Sequence, residues 1–391
     1  MTDSRLALML SGGGARAAYQ VGFLRHLATR YPDIAPGILT GVSAGGLIAI
    51  QLASRAGNFS DAVVHLSQTW QSLHVDDVFR VDPRNLASRV TRWGFRLVSG
   101  GIGTNTGGDR LRSLVDTEPL RALLHRALDP APDDTFPGIE RNLATRRLAA
   151  VALTASSYTT GQSVTWVQNR EGYSLLTMEG AQRTSVPGSL RIDHVMATSA
   201  LPFFFPAIEV DGSWYGDGGI RLTAPLSPAI HLGADRIIAV STRYARTAAE
   251  AGQPAVSGYP PPAQVAGVLY NAIFLDLLDA DALRLQQVNQ LVERLPRPER
   301  RGWRRIDLLV LRPSRDLGRL ANDFEAALPR GLRFLLRGLG SRQTRSNDML
   351  SLLMFQADYI GRLMELGEAD ARARSSDIDA FLGAASQSAR A

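Results

Sequence analysis

Three short stretches of this chain carry residue types that could do chemistry together. The first is Gly41-Val42-Ser43-Ala44-Gly45, which follows the apolar run Gly37-Ile38-Leu39-Thr40 and precedes Gly46-Leu47-Ile48-Ala49-Ile50-Gln51-Leu52-Ala53. Strand, sharp turn and helix is the setting of a nucleophile elbow. The serine sits on a strained turn there, and glycines two residues to either side let neighbouring backbone come close. The pentapeptide alone is short and equally compatible with a structural turn. The second stretch, Ser11-Gly12-Gly13-Gly14-Ala15-Arg16, follows the apolar run Leu6-Ala7-Leu8-Met9-Leu10. A glycine-rich loop between strand and helix offers several backbone N–H groups to one point, an anion cradle suited to the oxyanion of acyl transfer. The third is Tyr215-Gly216-Asp217-Gly218-Gly219. An uncrowded aspartate on a glycine turn can approach another group closely, and a nucleophilic serine needs a base; Asp217 is the candidate.

Taken in chain order, glycine loop, elbow and then Asp-Gly-Gly, the three stretches resemble the patatin-like phospholipases. Ala197-Thr198-Ser199-Ala200-Leu201-Pro202-Phe203-Phe204-Phe205-Pro206 is similar to the segment that family carries ahead of its aspartate, and Pro225-Leu226-Ser227-Pro228-Ala229-Ile230 to the one after it. The resemblance spans residues 5–242 in separated blocks and weakens between 75 and 145. It implies a metal-independent serine lipid acyl hydrolase, of phospholipase A or lysophospholipase type, with a Ser43–Asp217 dyad and no cofactor. The oxyanion hole would come from Gly12, Gly13, Gly14 and Arg16, the elbow glycines would be Gly41 and Gly45, and Gly218 and Gly219 would support the aspartate loop. Arg16 departs from an otherwise apolar loop; steadying the loop, a salt bridge and attraction of an anionic headgroup are all open to it. The implied partner is a lipid or other acyl ester. A non-phospholipid esterase, thioesterase or polyester depolymerase on the same dyad is the alternative, and a non-catalytic membrane-binding protein a more remote one.

A water-exposed aspartate has a pKa near ~3.9 and is a poor base at neutral pH. The dyad therefore requires a desolvated site that raises the pKa of Asp217. No histidine takes a convincing triad position: His194 lies 23 residues before Asp217 and His231 falls in an expected helix after it. The six histidines show no metal-ligand spacing, and with no cysteine the chain has neither disulfides nor thiolate sites. Gly12-x-Gly14-x-x-Ala17 faintly mimics a dinucleotide fingerprint, but that reading leaves Ser43 and Asp217 unexplained.

The elements that must position these residues read as α/β, with a mostly parallel central sheet and helices on both faces. Strand 5–10, loop and helix 15–29 form one βα unit; strand 37–42 and helix 43–55 form a second. Strands are expected at 148–154, 163–167 and 236–241, and helices at 60–74, 192–199 and from about 225. Residues 1–258 are expected to form the catalytic core, with 76–145 a variable helical insertion or lid. Within it, Arg89 to Val98 mixes arginine with large apolar residues, and an amphipathic core helix is preferred to a membrane-interface segment. Beyond the break at Gly258-Tyr259-Pro260-Pro261-Pro262 comes a helix-rich extension, 259–391, with a long helix at 263–294 and one strand, 306–311, in the same sheet. Arg330, Arg333 and Arg337 around Phe334-Leu335-Leu336 read as a solvated basic face.

Forty-three basic residues, all arginine, against 37 acidic ones give a net charge of +6. Such a surface attracts anions, and no nucleic-acid motif accompanies it. With no apolar run of the ~20 residues needed to span a bilayer and no signal-peptide pattern, the expected location is the cytoplasm, with peripheral contact to anionic membrane.

Overall fold

The structure, a computed structural model, describes residues 3–81, 113–173, 180–254, 256, 258–274, 277–329, 331–333 and 347–388. Among the described residues, nine strands form one mixed sheet: β1 (Asp3–Leu10), β2 (Pro36–Val42), β3 (Ala150–Ser157), β4 (Ser163–Asn169), β5 (Arg183–Pro187), β6 (Ile208–Val210), β7 (Ser213–Asp217), β8 (Arg236–Val240) and β9 (Asp307–Leu311). The order is β5-β4-β3-β2-β1-β8-β9, and β7 bridges β3 and β6. The β3-β2-β1-β8-β9 stretch is parallel throughout.

The runs that form this centre are mostly apolar because both faces are covered. In β1, Leu6, Leu8 and Leu10 enter one core while Ala7 and Met9 enter the other; in β8, Ile238 and Val240 oppose Ile237 and Ala239 in the same way. Helices α1 (Ala18–Arg30), α2 (Ala44–Ser54) and α3 (Phe59–Gln71) cover the first face. There they meet α4 (Glu118–Leu128), α5 (Pro137–Ala144) and α6 (Ile192–Thr198).

The C-terminal residues complete both layers. Helices α7 (Pro262–Phe274) and α8 (Leu277–Arg294) stand where one long helix is expected, and residues 275–276 between them lie outside the described residues. Leu278, Ala282 and Leu285 of α8 fill the second core. Helices α9 (Asp348–Leu353), α10 (Ala357–Ala373) and α11 (Ser375–Ser388) return to the first. The α1–α10 contact is backbone against backbone: a Cβ on Gly22 would stand 1.9 Å from Met364 O, and one on Gly367 2.0 Å from Tyr19 O.

Three elements depart from the expected list. β5 has an exposed, mostly polar sequence and escapes any apolar pattern. The β6–β7 hairpin turns on Asp211-Gly212, both at positive φ (47° and 76°), an Asp-Gly hairpin signal that was legible and overlooked. The Arg89–Val98 stretch, Arg330 and residues 334–337 lie outside the described residues.

Candidate active site

Ser43 is where β2 stops and α2 starts, with φ 55° and ψ −134°. A non-glycine residue held there stores roughly 1–3 kcal/mol of backbone strain. The glycines around it make room for the turn: a Cβ on Gly41 would lie 2.5 Å from Gly45 O, and one on Gly45 2.3 Å from Leu10 O at the end of β1. The elbow is thereby wedged against the glycine loop that follows β1.

Sheet register brings Asp217 to the same place. β2 pairs with β3 as far as Val42 opposite Thr154. β4 occupies the other edge of β3, so β7 takes up the edge that β2 vacates, with Asp217 opposite Ala155. The last residue of β7 therefore sits beside the residue that ends β2. Asp217 is wholly buried; its Oδ1 accepts from the Gly219 amide at 2.9 Å, and its Oδ2 has no hydrogen-bond partner among the described residues. Burial pushes its pKa up to about 7, against a smaller downward pull from the Ser43 hydroxyl and the Gly219 amide. The serine is thus close enough to be felt without a formed bond to Oδ2, and catalytic hydrogen bonds are commonly long before substrate arrives.

Gly12, Gly13 and Gly14 pass in front of Ser43; a Cβ on Gly12 would lie 3.1 Å from Ser43 Cβ. Gly13 (φ 143°) and Gly14 (φ 53°) adopt backbone that other residues avoid. Neither the Gly13 nor the Gly14 amide donates to a protein acceptor among the described residues. The loop is held from behind, with Thr242 Oγ1 donating to Gly12 O at 2.7 Å and Gln20 Nε2 donating to Ser11 O at 2.7 Å. Arg16 serves the same purpose. Its own amide donates to Gly13 O, and its guanidinium turns away from Ser43 to Ser351 Oγ (2.5 Å) and to Asp348 Oδ1 (2.6 Å) on α9. Of the three roles open to it, the salt bridge to Asp348 is present and it steadies the loop.

A narrow apolar pocket of about 60 Å³ opens at Gly13, Gly14 and Ser43. Leu47 and Gln51 of α2 line it, four and eight residues beyond Ser43, so it follows the helix for about 12 Å. Leu120, Leu123 and Leu124 of α4 and Leu352 and Leu353 of α9 form other walls. The apolar loop after α6 divides its work, since Leu201 and Phe205 face the pocket while Phe204 is core.

The geometry has what acyl transfer needs: an oxygen nucleophile, a carboxyl group poised to titrate near neutrality, unspent amides and an apolar groove. A sequence model described as Patatin-like phospholipase matches residues 8–230, more than half of the chain. The chain belongs to the patatin-like phospholipase family. Among solved structures it is similar to human GIVD cytosolic phospholipase A2, at 12% identity and TM-score 0.47, covering 98% of this chain and 60% of that one. VipD from Legionella pneumophila matches at 13% identity and TM-score 0.31, with 92% and 66% covered. ExoU from Pseudomonas aeruginosa, solved with SpcU, matches at 16% identity and TM-score 0.26, with 63% and 45% covered. The patatin-like chain thus spans about 60% of the length of the human enzyme. No curated protein matches it in sequence.

Neither candidate histidine has Ser43 or Asp217 among its hydrogen-bond partners. His194 is stacked on Trp166, its Nδ1 accepts from the Arg191 amide, and burial drives its pKa down to about 4. His231 Nδ1 is bonded to Ser227 O within its own turn. Among the described residues, no group of three His, Asp or Glu side chains is placed to hold a metal ion, and no helix is long and apolar enough to cross a membrane. Sequence reasoning missed Thr242 as the brace of the glycine loop, an ordinary threonine without a local motif, and the role of Thr198, whose hydroxyl meets the Ser43 amide, although Thr198 lies in the 197–206 segment that carries the resemblance.

Proposed function

We propose that the protein is a serine lipid acyl hydrolase working through Ser43 and Asp217. Ser43 Oγ attacks the ester carbonyl and its proton passes to Asp217 Oδ2. The oxyanion of the tetrahedral intermediate is received by the Gly13 and Gly14 amides, each such donor being worth about 3–4 kcal/mol of transition-state stabilisation. Collapse breaks the ester C–O bond, and the departing alcohol takes the proton from Asp217. Water then attacks the acyl-enzyme and gives a proton to Asp217; the acyl C–O bond to Ser43 breaks, Asp217 returns the proton to Ser43 Oγ, and the fatty acid leaves. The acyl chain lies along α2 in the apolar pocket.

One observation carries this reading: a carboxylate buried beside a strained serine, with one oxygen that has no hydrogen-bond partner among the described residues. An unpaired buried carboxylate oxygen is expensive to keep, and a proton-accepting role accounts for it. Fatty-acid release from phospholipid vesicles in excess chelator, by the wild type and Ser43→Ala, tests the proposal. Release that survives chelation and is lost in the variant supports it. Ser43-dependent cleavage confined to small soluble esters moves the substrate to a non-lipid ester, and equal release by both proteins refutes the nucleophile.

A further inference from the structure

The segment from Thr198 to Ala200 touches both halves of the dyad, and nothing in the chemistry above gives it a task. Thr198 is the last residue of α6 and is wholly buried. Its Oγ1 accepts from the Ser43 amide at 3.0 Å and donates to Thr154 O at 2.5 Å. Two residues on, Ala200 O accepts from the Asp217 amide at 2.9 Å. The Thr154 carbonyl is itself a boundary of the aspartate loop, since a Cβ on Gly218 would lie 2.0 Å from that oxygen.

We propose that Thr198 is a positioning residue: with the Ala200 carbonyl it fixes the separation of Ser43 from Asp217, clamping the nucleophile by its amide and the base by its backbone from one rigid turn. The inference rests on the Ser43–Asp217 reading. Its physical basis is the Ser43 backbone. A residue at φ 55° holds that conformation only while its surroundings over-determine it, and an amide buried there needs an acceptor. The end of β2 supplies none to Ser43 N; the threonine hydroxyl does, and its own proton is anchored on β3. The threonine methyl completes the fit, because a Cβ on Gly46 in the first turn of α2 would lie 2.9 Å from Thr198 Cγ2. Without the hydroxyl, the Ser43 amide loses its partner and the elbow is free to relax away from Asp217.

The test compares Thr198→Val, Thr198→Ser, Ser43→Ala and wild type on a fatty-acyl ester, with active sites titrated by a lipid fluorophosphonate. Titration counts competent sites, so kcat per site separates misplacement from partial unfolding. The valine variant is expected to lose about 100-fold in kcat per site, the scale of a 1 Å misplacement, with KM within about twofold of wild type. Thr198→Ser keeps the hydroxyl and should recover kcat to within about threefold. Thr198→Ala removes the same hydroxyl without an added methyl and carries the test if the valine variant folds poorly. A valine or alanine variant with kcat per site within threefold of wild type overturns the proposal, as does a serine variant no better than valine. If Ser43→Ala is as active as wild type, the failure lies in the dyad itself and takes this inference with it.

Discussion

Asp217→Asn should abolish turnover while making the protein more stable, and the size of that gain should depend on pH. The wild-type carboxyl is wholly buried and its pKa is raised from 3.8 to about 7 by desolvation. Below the unfolded value both states hold the proton and burial carries no charge penalty. Between 3.8 and 7 the folded state keeps a proton the unfolded chain has released, so stability falls as pH rises, and the loss is complete above 7. A shift of about three pH units at about 1.4 kcal/mol each puts the ceiling on the order of 4 kcal/mol. Asparagine keeps an oxygen for the Gly219 amide and carries no charge to bury. At pH 8 the variant should therefore melt several degrees above wild type, and at pH 5.5 about 2 kcal/mol of its advantage should have gone. Thermal melts of both proteins across pH 5.5–8, with a pH profile of kcat/KM for wild type, make the assay. The rate should climb with pH to a plateau about a midpoint near 7, as ionised Asp217 becomes available. An acid limb centred below pH 5, or a stability difference that stays flat with pH, would refute a desolvated aspartate base.

Other consequences can be checked singly. Gly14→Ala places a Cβ 2.2 Å from Leu352 O on backbone at φ 53°; kcat should fall about 10²–10³-fold as the oxyanion loop shifts, with a lowered Tm in the same preparation. Asp348→Ala strands the Arg16 guanidinium, whose side chain is only 4% exposed, and should cost about 3–5 kcal/mol in denaturant unfolding. His194→Ala should lower Tm by losing the Trp166 stack and the bond from the Arg191 amide, yet leave kcat per titrated site within about threefold; a loss matching that of Asp217→Asn would put a histidine back into the mechanism.

The legible and illegible parts of this molecule divide by the range of the forces involved. Runs such as Leu6–Leu10 and Ile237–Val240 declare buried parallel strands because every position is apolar, and the glycines at 12–14, 41 and 45 announce close backbone approach in the sequence itself. β5 makes no such announcement, since an exposed edge strand needs no apolar face. The adjacency of Ser43 and Asp217 is a matter of register: β7 continues the edge of β3 where β2 ends, and no local spacing encodes that. Arg16 illustrates the same limit. Its place in the glycine loop suggested a donor for anions, while its partners, Asp348 and Ser351, are more than three hundred residues away. Thr242 looks in sequence like any other threonine, and although Thr198 stands in a segment that carries the resemblance, nothing local tells that its hydroxyl meets an amide 155 residues away.

The wall behind the glycine loop is made by α9, through Leu352 O, Ser351 and Asp348, and α10 is pressed backbone to backbone on α1. The surroundings of the candidate site therefore extend well past residue 230, where the family match stops. A fragment cut at the glycine–proline break near 258 would retain Ser43, Asp217 and every motif, yet lose the counter-ion of Arg16, the backstop of Gly14 and one side of the acyl groove. Whoever shortens this chain for crystallisation, or grafts it onto another protein, must carry α9 and α10 along, because the candidate site is braced by residues more than three hundred positions apart.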